Sequence, residues 1–207
     1  MKKYNKKLLN IDQNAKTVKG QKKGFLTAIL YLAPHTESGF NTCPMSSEGC
    51  RKSCIYYSGN ARFPVVNKGR INKTKYFYND RDLFMAQLVN EIDNFIINAK
   101  KRNLTPCLRL NGTSDINWEN IKHNGLSVMD TFPDLICYDY TKIPLRMYKF
   151  LNGKNSAIHT HSVPPTYSQR GEPRVMERII YYRFCIFIVK IISAFSANFA
   201  VNFPILH

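Results

Sequence analysis

Three short apolar runs lie between residues 25 and 140 of the chain. Residues 25–33, 105–110 and 135–140 are apolar and rich in side chains that favour β-structure, and each run predicts a strand. Pro34 ends the first run, and the second run ends at an Asn-Gly pair. The segments between these runs are longer and more polar, so they are where we expect the connecting helices.

Helical periodicity is clear in the segment between the first two predicted strands. A helix is predicted over residues 65–78, and a second helix after a cap at Asn79 or Asp80. In the second helix, apolar residues recur at three- and four-residue spacing: Phe84, Leu88, Ile92, Phe95 and Ala99. A short helical stretch around Val128 precedes the third predicted strand.

Strands that alternate with helices predict an α/β fold with a partial parallel sheet and right-handed βαβ crossovers. Three strands cannot close an eight-stranded barrel. The predicted domain is therefore either an open sheet or an incomplete (β/α)-barrel-like domain.

Polar side chains follow the second and third predicted strands. Because ligands of parallel sheets gather at the carboxyl ends of the strands, these residues predict a ligand pocket. Its candidate residues are Arg109, Asn111, Ser114, Asp115, Asp139 and Lys142. An equally simple interpretation is that Ser114 or Asp115 only caps a helix that begins at Trp118.

A three-cysteine loop follows the first predicted strand. Cys43, Cys50 and Cys54 have C-x6-C-x3-C spacing, which allows three thiolates to converge on one metal centre. A structural zinc site normally needs four protein ligands, whereas an iron–sulfur cluster held by three thiolates keeps one iron open to an external ligand. A disulfide between two of these cysteines, or three inert thiols, are the alternatives. Cys107 and Cys137 lie in apolar strands, which favours core packing over a role as a fourth ligand.

Residues 60–78, which include the first predicted helix, combine cations with aromatic residues. Cations on such a helix can contact phosphates while aromatic rings stack on bases, so this segment is a candidate nucleic-acid interface. The candidate cations are Arg62, Lys68, Arg70, Lys73 and Lys75. The alternative is an ordinary amphipathic helix with a solvated basic face.

Composition makes the protein strongly basic, since 30 Lys and Arg against 14 Asp and Glu give a net charge of +16. Residues 1–24 hold eight Lys and one Asp and predict a mobile or weakly ordered basic arm, which is either a solvated tail or a contact for nucleic acid.

No secretory signal is expected, because no apolar run follows the first residues, and six cysteines are too few for a disulfide scaffold. Reduced thiols in a cytoplasm are therefore expected.

The C-terminal part of the chain has a different character. We predict three parts: the basic arm over 1–24, an α/β Cys-loop domain over 25–155, and a divergent apolar tail over 156–207. Within the tail, residues 184–203 carry one charge, Lys190, and are long enough for a membrane span. The apolar residues favour insertion, but the central Lys190 opposes it by about 2.5 to 3.5 kcal/mol, so a membrane role is the less favoured interpretation.

Several motifs together resemble the phage gene product 88 family. They are Gly24-Phe-Leu-Thr-Ala-Ile-Leu-Tyr-Leu-Ala-Pro34, the cysteine loop, Asn72-Lys-Thr-Lys75, Asp80-Arg81, Leu108-Arg-Leu-Asn-Gly-Thr-Ser-Asp-Ile116 with Trp118-Glu119, and Tyr138-Asp-Tyr-Thr-Lys142 with Arg146. The resemblance covers about residues 17–155, and we expect the C-terminus to depart from the family after that point, as a replaced or frameshifted sequence would. It implies a phage or prophage protein in the cytoplasm of a bacterial host.

The three-cysteine loop also resembles, more distantly, that of radical S-adenosylmethionine enzymes, whose usual spacing is C-x3-C-x2-C. The leading hypothesis is an α/β protein that binds an iron–sulfur cluster or another metal beside a strand-end pocket. If it is an enzyme, the resemblance implies radical S-adenosylmethionine chemistry. The alternatives are a zinc-stabilised nucleic-acid-binding protein and a membrane-tethered phage accessory protein.

Overall fold

The computed structural model describes residues 4–59, 63–151 and 180–181. The predictions for Arg62 and for the apolar segment 184–203 lie outside the described residues. In chain order the strands are β1 Leu9–Ile11, β2 Phe25–Leu30, β3 Thr105–Arg109, β4 Ile136–Cys137, β5 Tyr140–Thr141 and β6 Ile180–Tyr181. The helices are α1 Ala15–Gln21, α2 Glu48–Lys52, α3 Pro64–Asn79, α4 Arg81–Lys101, α5 Val128–Thr131 and α6 Pro144–Leu151, with 3-10 turns at Ile55–Tyr57 and Trp118–Asn120.

The main sheet confirms the predicted α/β fold. Its strand order is β1-β2-β3-β4, and β2, β3 and β4 run parallel. Phe25 pairs with Thr105 and Cys107 pairs with Ile136, so α3 and α4 form the crossover between β2 and β3. Among the described residues, this sheet is open, and β5 and β6 form a separate antiparallel pair.

Helix α4 packs on the sheet as its periodicity predicts, and α3 packs against α4. All five of the periodic apolar residues of α4 are buried, together with Met85. They pack in one core cluster with Phe77 of α3 and Trp118. Asp80 occupies the cap position before α4, but its side chain makes no capping hydrogen bond. Helix α4 therefore owes its position to its apolar face rather than to its cap.

The N-terminal residues correct the prediction of a weakly ordered arm. Leu8 and Leu9 are buried, and Leu9 pairs with Leu30 in an antiparallel β1–β2 ladder. The Glu91 carboxylate of α4 accepts hydrogen bonds from the backbone N–H groups of Leu8 and Leu9 at 2.9 Å. The high lysine content conceals this short apolar segment, whose partners lie far away in the sequence.

The third predicted strand is divided into two. Tyr138 N donates to Leu108 O at 3.0 Å, which continues the pairing of β4 with β3. The Asp139 side chain then accepts the backbone N–H of Tyr140 at 2.9 Å, and the chain leaves the sheet. Residues 140–141 pair with β6 instead, so the apolar run at 135–140 does not continue as one strand.

Candidate functional site

The Asn111 side chain organises the loop that follows β3. Its Oδ1 accepts hydrogen bonds from Ser114 Oγ at 2.9 Å, Ile116 N at 2.9 Å and Trp118 Nε1 at 3.1 Å. Its Nδ2 donates to Ile116 O at 2.9 Å and to Asp139 Oδ2 at 2.5 Å. Asn111, Ser114 and Asp139, three of the predicted pocket residues, are therefore in one network, in which Asn111 and Ser114 are buried and Asp139 is half-buried.

Gly112 lets this loop approach β2 closely. A Cβ atom at this position would lie 2.6 Å from Tyr31 Cδ1, 2.7 Å from Leu30 O and 2.8 Å from Ile29 Cγ2. Gly112 N also donates to Leu30 O at 3.0 Å, so the backbone itself forms the contact. The carboxyl ends of β2 and β3 are held together there without space for a side chain.

Asp115 belongs to a buried ion cluster rather than to a helix cap. Arg146 of α6 binds Glu119 through two hydrogen bonds of 2.6 and 2.7 Å and Asp115 through a contact of 3.3 Å. Asp115 Oδ2 also accepts the backbone N–H of Lys142 at 2.8 Å. The turn at Trp118–Asn120 has Asn117 in the cap position without a side-chain hydrogen bond, so capping by Ser114 or Asp115 is excluded.

Asp139 is a half-buried carboxyl group beside two arginines. Burial raises its pKa to about 7, although Arg146, Arg109, the Tyr140 N–H and the Asn111 amide act in the opposite direction. The Arg109 guanidinium lies 4.4 Å from the centre of the Tyr140 ring, and Arg109 Nε donates to Asn111 O at 3.2 Å. A cavity of about 20 Å³, close to the size of one water molecule, lies beside Asp139 and Arg146.

A larger cleft of about 220 Å³ lies at the carboxyl edge of the sheet. It exceeds the cavity of about 150 Å³ that holds a benzene molecule but is smaller than the sites of drug-sized ligands. Its lining residues are Asn41, Thr42, Pro44, Tyr78, Asp115, Ile116, Asn117 and Ile143. Only Asp115 among the predicted pocket residues lines this cleft. Ile116 and Asn117 follow Asp115 in the same loop, and the other lining residues come from the segment after β2, from α3 and from the segment before α6. No local sequence pattern identified them.

The cysteine loop begins at the same edge of the sheet. Cys43, Cys50 and Cys54 are free thiols, each partly buried. The Cys43 thiol lies 3.8 Å from Thr113 O, and burial raises the pKa of the Cys43 and Cys54 thiols. Within the part of the chain that the structure describes, no group of three His, Cys, Asp or Glu side chains is arranged to hold a metal ion. The loop is thus in the expected place, but its three thiols do not converge.

The remaining two candidate ligands lie in the sheet. Cys107 is buried in β3 and pairs with Ile136, as core packing requires. Cys137 lies in β4 beside the small cavity, where burial raises the pKa of its thiol to about 12. Neither strand cysteine forms a ligand group with the three loop cysteines among the described residues.

Only part of the basic face predicted for α3 is exposed to solvent. Lys68 and Lys75 are exposed, but the Arg70 guanidinium lies against the rings of Tyr31 and Tyr56, at 4.7 and 5.4 Å from their centres. Lys73 is buried, and its Nζ donates to Leu8 O at 2.5 Å. Burial lowers the pKa of Lys73 to about 8. Lys73 is thus a structural contact to the N-terminal segment, which corrects its assignment to a nucleic-acid surface.

None of the helices within the described ranges combines the length and apolar character that crossing a membrane would require. No curated protein and no solved structure matches the chain. The model of the family described as gene product 88 matches residues 2–182. The match extends beyond residue 155, after which we expected the sequence to depart from the family. Because the match covers most of the chain, the protein belongs to the phage gene product 88 family.

Proposed function

We propose that this protein binds an iron–sulfur cluster or another metal through Cys43, Cys50 and Cys54, beside the cleft at the carboxyl edge of the sheet. The observation that carries the proposal is that Thr42 and Pro44, the two neighbours of Cys43, both line the cleft. A group held by the thiols would thus be next to whatever the cleft binds. Free thiols remain reduced in a bacterial cytoplasm, where we place the protein as part of the same proposal.

The start of the cysteine loop is firmly anchored. Thr42 Oγ1 donates to Ala33 O at 2.7 Å, and Asp115 N donates to Thr42 O at 2.8 Å. These two bonds connect Thr42, the residue before Cys43, to the segments that follow β2 and β3. Cys43 is therefore the ligand whose position the fold determines.

Cys50, by contrast, lies on a weakly packed helix. The five-residue helix α2 buries none of its residues, and its Lys52–Glu48 ion pair is exposed. Little packing energy opposes a movement of α2 toward Cys43. The three thiols do not form a ligand group as they stand, so the proposal requires metal binding to reorganise this segment, as coupled binding and folding often do.

The number of thiols favours a cluster over zinc. Three thiolates satisfy a cluster that keeps one iron open, whereas a structural zinc site needs a fourth protein ligand. Such a cluster, when bound, would offer its open iron to a small-molecule ligand. The resemblance to radical S-adenosylmethionine enzymes makes S-adenosylmethionine the first such ligand to test. The cleft is too small to enclose all of that molecule, so Tyr78, Asp115 and Asn117 would orient only the part that enters it.

Anaerobic reconstitution with iron and sulfide, and separately with zinc, tests this proposal. We expect stoichiometric iron and sulfide with visible absorption in the full-length protein, and loss of both in Cys50→Ala. Since α2 is exposed, this variant should keep its fold by circular dichroism. Cys107→Ala, which alters a thiol in β3, is the matched control and should retain the iron.

Stoichiometric zinc without iron would instead support the zinc-stabilised alternative. A protein that binds neither metal, or a Cys50→Ala variant that binds as much iron as the wild type, would exclude a cluster in this loop. The membrane-tethered alternative depends on residues 184–203, which lie outside the described residues. Deleting residues 184–207, which leaves β6 in place, should leave the membrane-bound fraction unchanged unless that alternative is correct.

A further inference from the structure

Two basic segments that are far apart in the sequence meet at the amino edge of the parallel sheet. Lys22 and Lys23 follow α1 and lead into β2, while Lys100 and Lys101 end α4 just before β3. Gly24 O accepts the backbone N–H of Thr105 at 2.8 Å, so the two segments enter neighbouring strands side by side.

A second contact connects the same two segments. Arg102 Nη1 lies 2.8 Å from Asp12 Oδ2, and the Gln21 side chain donates to the other oxygen of Asp12. Asp12 therefore joins the end of α4 to the end of α1. Lys19, in the last turn of α1, extends the basic surface along this helix. We define the amino-edge surface as Lys19, Lys22, Lys23, Lys100, Lys101 and Arg102.

The charges of this surface exceed what local stabilisation requires. The C-terminus of a helix carries at most about −0.5 elementary charge, so two helix ends account for roughly one cation. Asp12 is the one carboxylate that the hydrogen bonds of the described residues place on this surface, and it pairs with Arg102. About four of the six cations therefore have no role in stabilising the fold.

The lysines of the amino-edge surface are accessible. All five are exposed, and their side chains make no hydrogen bond or ion pair with another described residue. They form an open cationic surface instead of a pocket. Such a surface suits a polyanion, whose repeated charges several lysines can contact at once, better than a single small anion.

We propose that the amino-edge surface binds the phosphate backbone of a nucleic acid. The surface differs from the basic face predicted for α3, where Lys73 is buried and Arg70 is turned against tyrosine rings. It also lies at the opposite edge of the sheet from the cysteine loop. The proposal therefore does not depend on metal binding by the cysteines.

The test measures binding of the full-length protein to a short random-sequence DNA duplex and to the matching single strand. Between about 50 and 200 mM salt, the logarithm of the affinity should fall linearly with the logarithm of the salt concentration. Replacing Lys22, Lys23, Lys100 and Lys101 by Gln should reduce that slope by up to about 3.6 on the duplex, because each lysine that neutralises a phosphate adds about 0.9 to it. On the single strand the salt slope should be smaller, because each neutralised phosphate adds only about 0.7 to it. The form that the protein binds more tightly is the preferred nucleic acid.

The control replaces four exposed cations that lie outside every candidate nucleic-acid surface by Gln: Arg51, Lys52, Lys122 and Lys149. The control changes the net charge by the same amount as the test variant. Because its residues lie outside the amino-edge surface, we expect its salt slope to stay close to that of the wild type. Equal reductions in the two variants would show that only net charge matters and would overturn the proposal. Absence of binding at low salt, or binding only to vesicles of anionic lipid, would overturn it as well. Cys50→Ala should bind nucleic acid with the wild-type affinity. Nucleic-acid binding can therefore be tested independently of metal binding.

Discussion

Asn111 Nδ2 donates a hydrogen bond of 2.5 Å to Asp139 Oδ2, and this bond connects the residues that follow β3 and β4. It joins the carboxyl ends of two parallel strands through side chains. Asp139 is half-buried in this position, and the loss of hydration around its carboxyl group raises its pKa to about 7 from an ordinary value of 3.8. The protonation of one carboxyl group thus influences how firmly the site is held together.

The pH dependence of stability should reveal Asp139. Between pH values of about 4 and about 7 the folded protein holds a proton on Asp139 that the unfolded chain has released. The free energy of unfolding should therefore fall as the pH rises through this range. Asp139→Asn should show a weaker fall in its urea midpoint, because the amide does not titrate in this range while its oxygen can still accept from Asn111 Nδ2. Asp134→Asn, an exposed control, should keep the wild-type pH dependence, and identical profiles for all three proteins would contradict this assignment.

Removing Arg146 should be strongly destabilising. Its side chain is 3% exposed, and without it Glu119 and Asp115 would remain as buried carboxylates without their cation. We expect Arg146→Met to lower the free energy of unfolding by about 3 to 5 kcal/mol. Lys52→Gln breaks the exposed pair with Glu48 and should cost less than about 1 kcal/mol in the same urea titration. Similar losses in both variants would mean that the Arg146 cluster is as weak as a surface pair.

Two glycines should respond in opposite directions to the same substitution. Gly112→Ala places a methyl group within 2.6 Å of Tyr31 and should destabilise the protein by about 1 to 3 kcal/mol. Gly69 lies inside α3, and a Cβ atom added there would have no neighbour within 4 Å. Gly69→Ala should therefore stabilise the protein by about 0.5 to 1 kcal/mol. Thermal unfolding of both variants measures the difference, and a neutral Gly112→Ala would refute the close approach.

Glu91 should be required to hold β1 against the sheet. Its carboxylate accepts the backbone N–H groups of Leu8, shared between both oxygens, and Leu9, and a hydrogen bond to a charged group contributes about 1.5 to 3 kcal/mol. Glu91→Ala should therefore increase amide hydrogen exchange in residues 8–11. Asp93→Ala, an exposed change on the same helix, serves as the control. Rapid exchange in the wild type itself would restore the interpretation of residues 1–24 as a weakly ordered arm.

Local patterns predicted the elements whose burial follows from their own sequence. The apolar periodicity of α4 and the continuous apolar run of β2 both led to the correct structure because each element buries its own face. β1 was not predicted because it is only three residues long and lies in a lysine-rich segment whose composition indicates a solvated arm. Its partners, Glu91 and Lys73, are more than sixty residues away, and no local pattern indicates them.

The site was predicted only where topology alone brings residues together. Asn111 and Asp139 follow neighbouring parallel strands, so the fold class was sufficient to place them side by side. The contact between Arg146 and Glu119 depends on the position of α6, which strand order does not determine. The cleft is lined by three connecting segments and by α3, and no local pattern indicates how these pack together. Lys73 was assigned to a surface because a lysine in a basic helix is usually solvated.

The pairing of β1 with β2 has a practical consequence for shortened versions of this protein. A chain that begins at Phe25 would keep the three parallel strands but leave β2 as an edge, with the backbone groups that face Leu9 and Ile11 unpaired. An apolar edge strand of this kind is a template for pairing with other chains. We expect such a truncated protein to aggregate, so the lysine-rich beginning of the sequence protects the sheet from self-association as well as contributing charge.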